Sequence, residues 1–145
     1  MLGELDRVAS GRLRADGQRY TDNRRQLVGL LAAAEAPVTI PEILDRRPDL
    51  AQSSVYRNLS VLERAGVVQR IVTNDEWARY ELAETLTANH HHHVICSACG
   101  KVQDFTVSLK LERLIEESLN QVATDSGFLV DHHRLDLVGR CQQCA

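Results

Sequence analysis

The sequence predicts an α+β chain in two parts: a helical unit ending in a β-hairpin over residues 1–82 and a smaller α/β unit over residues 90–145, with 83–89 as the hinge. Three observations predict it. Apolar residues recur at helical spacing through residues 2–65 and then give way to two short β-type runs around a turn. The stretch His90-His91-His92-His93-Val94-Ile95-Cys96-Ser97-Ala98-Cys99 concentrates imidazoles and thiols, the commonest nitrogen and sulfur ligands of zinc-class metals. A second Cys-x-x-Cys, Cys141 to Cys144, closes the second unit.

Taken in order, Leu2, Leu5, Val8 and Leu13 mark a short amphipathic helix ending near Asp16-Gly17. Leu27, Leu30, Leu31 and Ala34 mark a second, closed by Ala36-Pro37. Thr39-Ile40-Pro41-Glu42 opens a third with a capping box, in which the Thr39 side chain takes the Glu42 amide and Glu42 reaches back. The fourth runs from Ser53 to Ala65 and stops at Gly66. It places Val55, Leu59 and Leu62 on one face, Ser53, Arg57, Ser60 and Arg64 on the opposite one, and Tyr56 on the flank. That polar face suits the major groove, and an ordinary solvent face is the alternative. Val67 to Val72, a turn at Thr73-Asn74-Asp75-Glu76, and Ala78 to Leu82 form a hairpin where a winged helix-turn-helix carries its wing, which favours DNA.

Ala83 to Asn89 shows little periodicity and reads as the hinge. The histidine run reads as a strand entering a turn at Ser97-Ala98, followed by a second strand over Lys101 to Thr106. Leu111, Leu114, Ile115, Leu119 and Val122 predict a helix from about Ser108 to Thr124, ended by Gly127. Phe128 to Arg140 is expected to contain a last strand carrying His132 and His133 to Cys141.

Side chains on a strand alternate, so His91 and His93 face one way and His90 and His92 the other. One strand then serves two separate metal sites. Carboxylates at Glu81 and Asp104 flank the first pair in sequence, and His133 with a helix carboxylate is available to the second; for each carboxylate a solvated role is the alternative. Cys96, Cys99, Cys141 and Cys144 have the spacing of a closed tetrahedral zinc site, with Zn–S distances of about 2.3 Å and no open position, hence a structural one.

The 43% hydrophobic content is that of a globular protein, and no apolar run reaches membrane-span length. The first residues lack a basic patch followed by an apolar stretch, so a cytoplasmic location is expected. The net charge of −3 argues against nucleic-acid binding, but the acidity lies in residues 83–145. Residues 1–82 are neutral, and Arg7, Arg12, Arg14, Arg19, Arg24 and Arg25 face only Asp16 and Asp22 over 7–25, a local basic segment of the kind that meets phosphates.

Four features together resemble the ferric uptake regulator family, from about Gly17 to Cys144: Gly17-x-Arg19-x-Thr21-x-x-Arg24, Ser54-Val55-Tyr56-Arg57-x-Leu59, Arg79-Tyr80-Glu81-Leu82, and the histidine-rich strand with paired Cys-x-x-Cys motifs. The resemblance implies a homodimeric, metal-dependent transcriptional repressor with a winged-helix DNA-binding domain and an α/β dimerisation domain. It implies structural Zn²⁺ at Cys96, Cys99, Cys141 and Cys144. It implies a regulatory hinge site for Zn²⁺ or Fe²⁺ from Glu81, His91 and His93, completed by Asp104 or Glu84, and a dimerisation-domain site from His90, His92, His133 and Glu112 or Glu116. On a palindromic operator, Tyr56 and Arg57, with Ser53 and Ser54 beside them, are implied at bases or phosphates and Arg19 at the backbone or minor groove.

Two departures stand out. Many family members offer a histidine from the DNA domain near the positions of Pro37 or Val38, and zinc sensors often use Cys and Asp where this chain has Ala83 and Gln69. The loop from Leu82 to His90 is longer than usual, and so is the helix after Ser108. Rival readings are a small zinc-dependent hydrolase, for which no HExxH-like pairing is present, and a zinc-ribbon interaction protein without DNA binding, which leaves the histidines unused.

Overall fold

A computed structural model describes residues 2–73, 77–87 and 90–145. The middle of the expected wing turn, Asn74 to Glu76, and the end of the hinge, Ala88 and Asn89, lie outside the described residues. The order is α1 (Leu2–Ala15), α2 (Asp22–Ala33), β1 (Val38–Thr39), α3 (Ile40–Arg46), α4 (Gln52–Arg64), β2 (Val68–Ile71), β3 (Arg79–Leu82), α5 (Glu84–Thr87), β4 (His92–Cys96), β5 (Val102–Phe105), α6 (Leu109–Ser126) and β6 (Asp136–Gly139).

Helix starts follow their caps. Thr21 accepts the Arg24 amide at α2, and Thr39 with Glu42 forms the full capping box at α3. After α4, Gly66 adopts φ +77°, a left-handed turn that L side chains resist, and the chain reverses into β2. β2 and β3 pair antiparallel as the hairpin, and β1 adds to the other edge of β3 through Val38↔Tyr80. Leu13, Leu27, Ile43, Val55, Leu59 and Leu62 are fully buried between these helices and the sheet. The stripe expected on α4 thus faces this core, joined by Asn58 and Val61.

The second sheet has the order β5-β4-β6, with β5 antiparallel and β6 parallel to β4. A parallel neighbour requires a crossover, and α6 lies in it. The small core of this half is Ile95 and Val102 together with Ile71, which reaches across from β2. α6 buries none of its residues within the chain, so Leu111, Leu114 and Val122 stay exposed, as do Phe128, Leu129, Val130, Leu137 and Val138.

Three expectations are corrected. β4 starts at His92, so His90 and His91 form the lead-in to the strand. β6 pairs with β4 only from Asp136 to Gly139, which leaves His132 and His133 in the irregular segment before it, where no strand backbone lies alongside to pair with them. The hinge carries a helical turn, α5, too short to register as a period.

Candidate metal centres and DNA-reading face

Three groups of four potential ligands are present among the described residues, each with one donor atom per residue lying within 4.8 Å of the other three: Cys96, Cys99, Cys141 and Cys144; His90, His92, Glu112 and His133; and Glu81, His91, His93 and Asp104.

The cysteines sit where β4 ends and β6 ends, side by side because those strands are parallel neighbours. Backbone amides of Cys99 and Cys141 donate to Cys96 Sγ at 3.5 and 3.4 Å. These bonds favour the thiolate and hold the Cys96 pKa down to about 6. Hydrogen bonding to Cys141 and Cys99 pushes the Cys144 thiol up to about 12. No disulfide joins any of the four, and the donor set suits a closed Zn²⁺ site.

The hinge group is assembled by register. His93 lies opposite Asp104 of β5 on one side and Asp136 of β6 on the other. Glu81, in β3, points its carboxylate at both imidazoles: Oε1 is 2.7 Å from His93 Nε2 and 3.1 Å from His91 Nε2. Gln69, across the wing from Glu81, donates to the same oxygen at 3.4 Å. Burial opposes charge on His93, but the hydrogen bond and charge of Glu81, with Asp104 behind them, outweigh it and raise its pKa. Burial and then the Glu81 charge raise the Asp104 pKa. Asp104 Oδ1 is buried without a hydrogen bond. An orphaned carboxylate oxygen aimed into two imidazoles and a second carboxylate is what a divalent cation would satisfy, so the residues fit one.

In the remaining group, His92 is 1% exposed and its Nε2 is hydrogen-bonded to Glu112 Oε1. Glu112 Oε2 lies 3.2 Å from His90 Nε2 and 4.0 Å from His133 Nε2. The His133 Nε2 is itself buried without a hydrogen bond, so this three-imidazole, one-carboxylate set also fits a cation. Of the alternatives left open by sequence, Glu112 rather than Glu116 enters this group and Asp104 rather than Glu84 enters the hinge group. Glu84 stands behind both: its Oε2 is 2.9 Å from His90 Nδ1 and its Oε1 accepts the His91 amide at 3.2 Å. Asp136, whose Oδ1 is 3.7 Å from His93 Nδ1, was not singled out by sequence; its alternation with Leu135 and Leu137 was the available signal.

On the other half, Ser53, Tyr56 and Arg57 are exposed on α4, and Arg19 is exposed in the loop before α2. Ser54 is half-buried and its hydroxyl accepts from Asn58 Nδ2, while Asn58 Oδ1 accepts from Arg24 Nε at 3.0 Å. Arg24 therefore ties α2 to α4 through Asn58, the Ser54 bond lies within α4, and Arg12 is likewise engaged within the fold, bonded to Gly66 and Thr85. A cleft of about 330 Å³ beside Tyr56, lined also by Ser60, Arg70 and Trp77, adds wing residues to the face; sequence reasoning had not placed Arg70 and Trp77 there.

The chain's relatives agree on one family. The sequence profile of the Ferric uptake regulator family matches residues 15–138. A peroxide-responsive repressor of Staphylococcus saprophyticus is 32% identical over 136 residues, covering 91% of this chain and 86% of that protein. The fold matches the ferric uptake regulator of Helicobacter pylori, a protein with three functional metal binding sites, with a TM-score of 0.74 at 24% identity over 99% of this chain and 93% of the other. A zinc-bound manganese uptake regulator matches with a TM-score of 0.62 at 30% identity, covering 94% and 98%.

Proposed function

The chain belongs to the ferric uptake regulator family, whose members are metal-responsive transcriptional repressors and not enzymes, and we propose that it represses metal-homeostasis genes by binding a palindromic operator when its hinge site takes up Zn²⁺ or Fe²⁺. The hydrolase and zinc-ribbon readings fall away with that membership. In this reading residues 1–82 are the DNA-binding domain, 83–89 the hinge and 90–145 the dimerisation domain. Cys96, Cys99, Cys141 and Cys144 hold structural Zn²⁺. Glu81, His91, His93 and Asp104 form the regulatory site, and His90, His92, Glu112 and His133 the dimerisation-domain site. Tyr56, Arg57, Ser53, Ser54 and Arg19 meet DNA.

The observation that carries the reading is the hinge group, because Glu81 belongs to the wing and His91, His93 and Asp104 to the other half, with a buried Asp104 oxygen that accepts no hydrogen bond among them. A divalent cation supplies positive charge that binds the two carboxylates and two neutral imidazoles together. Only a ligand that binds two arrangements differently shifts their populations, and a site drawn from both halves does so. Imidazole and carboxylate donors suit zinc, iron and manganese alike. The uncovered apolar surface of α6 and of residues 128–138 supports a homodimer, which sets two recognition helices about one DNA turn apart. No helix among the described residues is long and apolar enough to cross a membrane, and we place the protein in the cytoplasm with its DNA.

The test is operator binding by the protein with its cysteine site loaded, followed by anisotropy while Zn²⁺ or, anaerobically, Fe²⁺ is raised from buffered trace levels. Wild type should gain salt-sensitive affinity with metal; His93→Ala should lose that gain and keep its circular dichroism. A metal response unchanged in His93→Ala rejects the hinge assignment.

A further inference from the structure

Glu84 is the group that the two histidine sites have in common. Its Oε2 faces His90 Nδ1 at 2.9 Å, while His90 Nε2 faces Glu112 in the dimerisation-domain group. Its Oε1 accepts the His91 amide at 3.2 Å and lies 4.0 Å from His91 Nδ1, while His91 Nε2 faces Glu81 in the hinge group. A carboxylate behind a metal-binding imidazole fixes the tautomer with its lone pair toward the site and raises its basicity. Here a single carboxylate stands behind the His90 imidazole of one site and holds the backbone amide of His91 of the other, and the two residues are adjacent in the chain.

The position of Glu84 is itself held. It opens α5, whose next residue, Thr85, receives Arg12 of α1: Nη1 reaches Thr85 Oγ1 at 2.7 Å and the Gly66 carbonyl, just past α4, at 2.6 Å. The hinge turn is therefore pinned to the DNA-binding half on one side and to both histidine groups on the other.

We propose that Glu84 is a positioning residue shared by the two sites, so that filling either one orders Glu84 and raises the affinity of the other. The proposal rests on both groups being metal sites. On a turn already pinned, fixing the Glu84 carboxylate against both residues is the cost met once; the second ion finds its histidine already held. Glutamine is a poor substitute: with an ion on His90 Nε2 the proton sits on Nδ1, so both Glu84 oxygens accept and an amide NH₂ would oppose one of the donors.

The test uses the full chain with Zn²⁺ in the cysteine site and Co²⁺ as the probe, followed by its visible absorption. His133→Ala removes the dimerisation-domain site without touching Glu84. Hinge-site affinity is then compared between wild type with the second site filled and His133→Ala, in Glu84, Glu84→Ala and Glu84→Gln backgrounds. With Glu84 the ratio should be about tenfold, within the range for outer carboxylates; in both variants it should fall to within twofold of unity. In the Zn²⁺-loaded protein, where Nε2 is taken by the ion, the His90 Nδ1–H signal should be protected from solvent exchange with Glu84 present and lose that protection in Glu84→Ala. A tenfold ratio persisting in Glu84→Ala, or a ratio of one in wild type, overturns the coupling while leaving the sites. Failure of wild type to bind Co²⁺ beyond the cysteine site overturns the site reading and the coupling with it.

Discussion

Leu129 is 99% exposed in the single chain, so replacing it with aspartate removes nothing from the fold of one protomer. If the apolar surface of α6 and residues 128–138 is the dimer interface, the same replacement loses a buried side chain twice, since a two-fold interface uses each residue from both copies. Burial of a leucine is worth roughly 1.5–3 kcal/mol, so Leu129→Asp should weaken dimerisation by about 3–6 kcal/mol, before any cost of burying the new charge. At about 1.4 kcal/mol per decade that is roughly two to four orders of magnitude in Kd. Sedimentation velocity at micromolar protein should show a wild-type dimer and a largely monomeric variant with unchanged circular dichroism. A Leu129→Asp protein that remains dimeric with wild-type affinity refutes the placement of the interface on this surface.

Other outcomes follow from the sites. Cys141→Ser should lose the structural zinc, counted as about one ion per chain by atomic absorption, and melt at a lower temperature because β6 is no longer clamped to β4; full zinc retention would contradict the four-cysteine assignment. His93 has its pKa raised in the fold, so its charged form stabilises the metal-free protein fully below the ordinary histidine range, and that contribution is lost as pH rises through the raised value. Metal requires the neutral imidazole. Hinge affinity should therefore fall with decreasing pH from above the ordinary histidine range, and a pH-independent affinity between pH 6 and 8, roughly the window flanking that range, would contradict it. Arg57→Ala should weaken operator binding and lower the magnitude of its salt slope by about one if Arg57 meets a phosphate, or relax preference at one base pair if it reads a base; no change in either excludes it from the interface.

Much of this was legible because the chemistry follows short-range rules. Alternation along the run separates His91 and His93 from His90 and His92 even though only the last two of the four lie in β4. Spacing alone pairs the cysteines. The capping box at Thr39 needs only four residues. What escaped the sequence depends on long-range placement. β1 is two residues long and exists because Val38 finds Tyr80 across β3. α5 is a single turn held by Arg12, an arginine that composition assigned to a phosphate-facing segment. Ile71 reads as a wing residue but completes the core beneath β4 and β5. The choice between Glu112 and Glu116 depended on where α6 crosses the sheet, which no periodicity in the helix contains.

The hinge group draws no imidazole from the DNA-binding half, where Pro37 and Val38 are buried, so on the proposed reading Glu81 is the ligand that would hold that half. This makes the pair of carboxylates the energetic centre of the switch. Two negative charges separated by up to the 4.8 Å span of the group repel by about 3–4 kcal/mol at an effective dielectric near 20, and the raised Asp104 pKa records that repulsion after burial. Without a cation these carboxylates face His93, whose Nε2 is 2.7 Å from Glu81 and 3.4 Å from Asp104 and whose pKa they raise. On the proposed reading, a cation bound there would offset the repulsion between a wing carboxylate and one from the other half. That figure of about 3–4 kcal/mol is the ceiling on what a cation relieves, because the imidazoles already offset part of the repulsion, and it caps the shift between arrangements at a few hundredfold. The same arithmetic explains why the ligand from the wing is an acid: an imidazole in the place of Glu81 would bind metal but would leave no repulsion for metal to relieve.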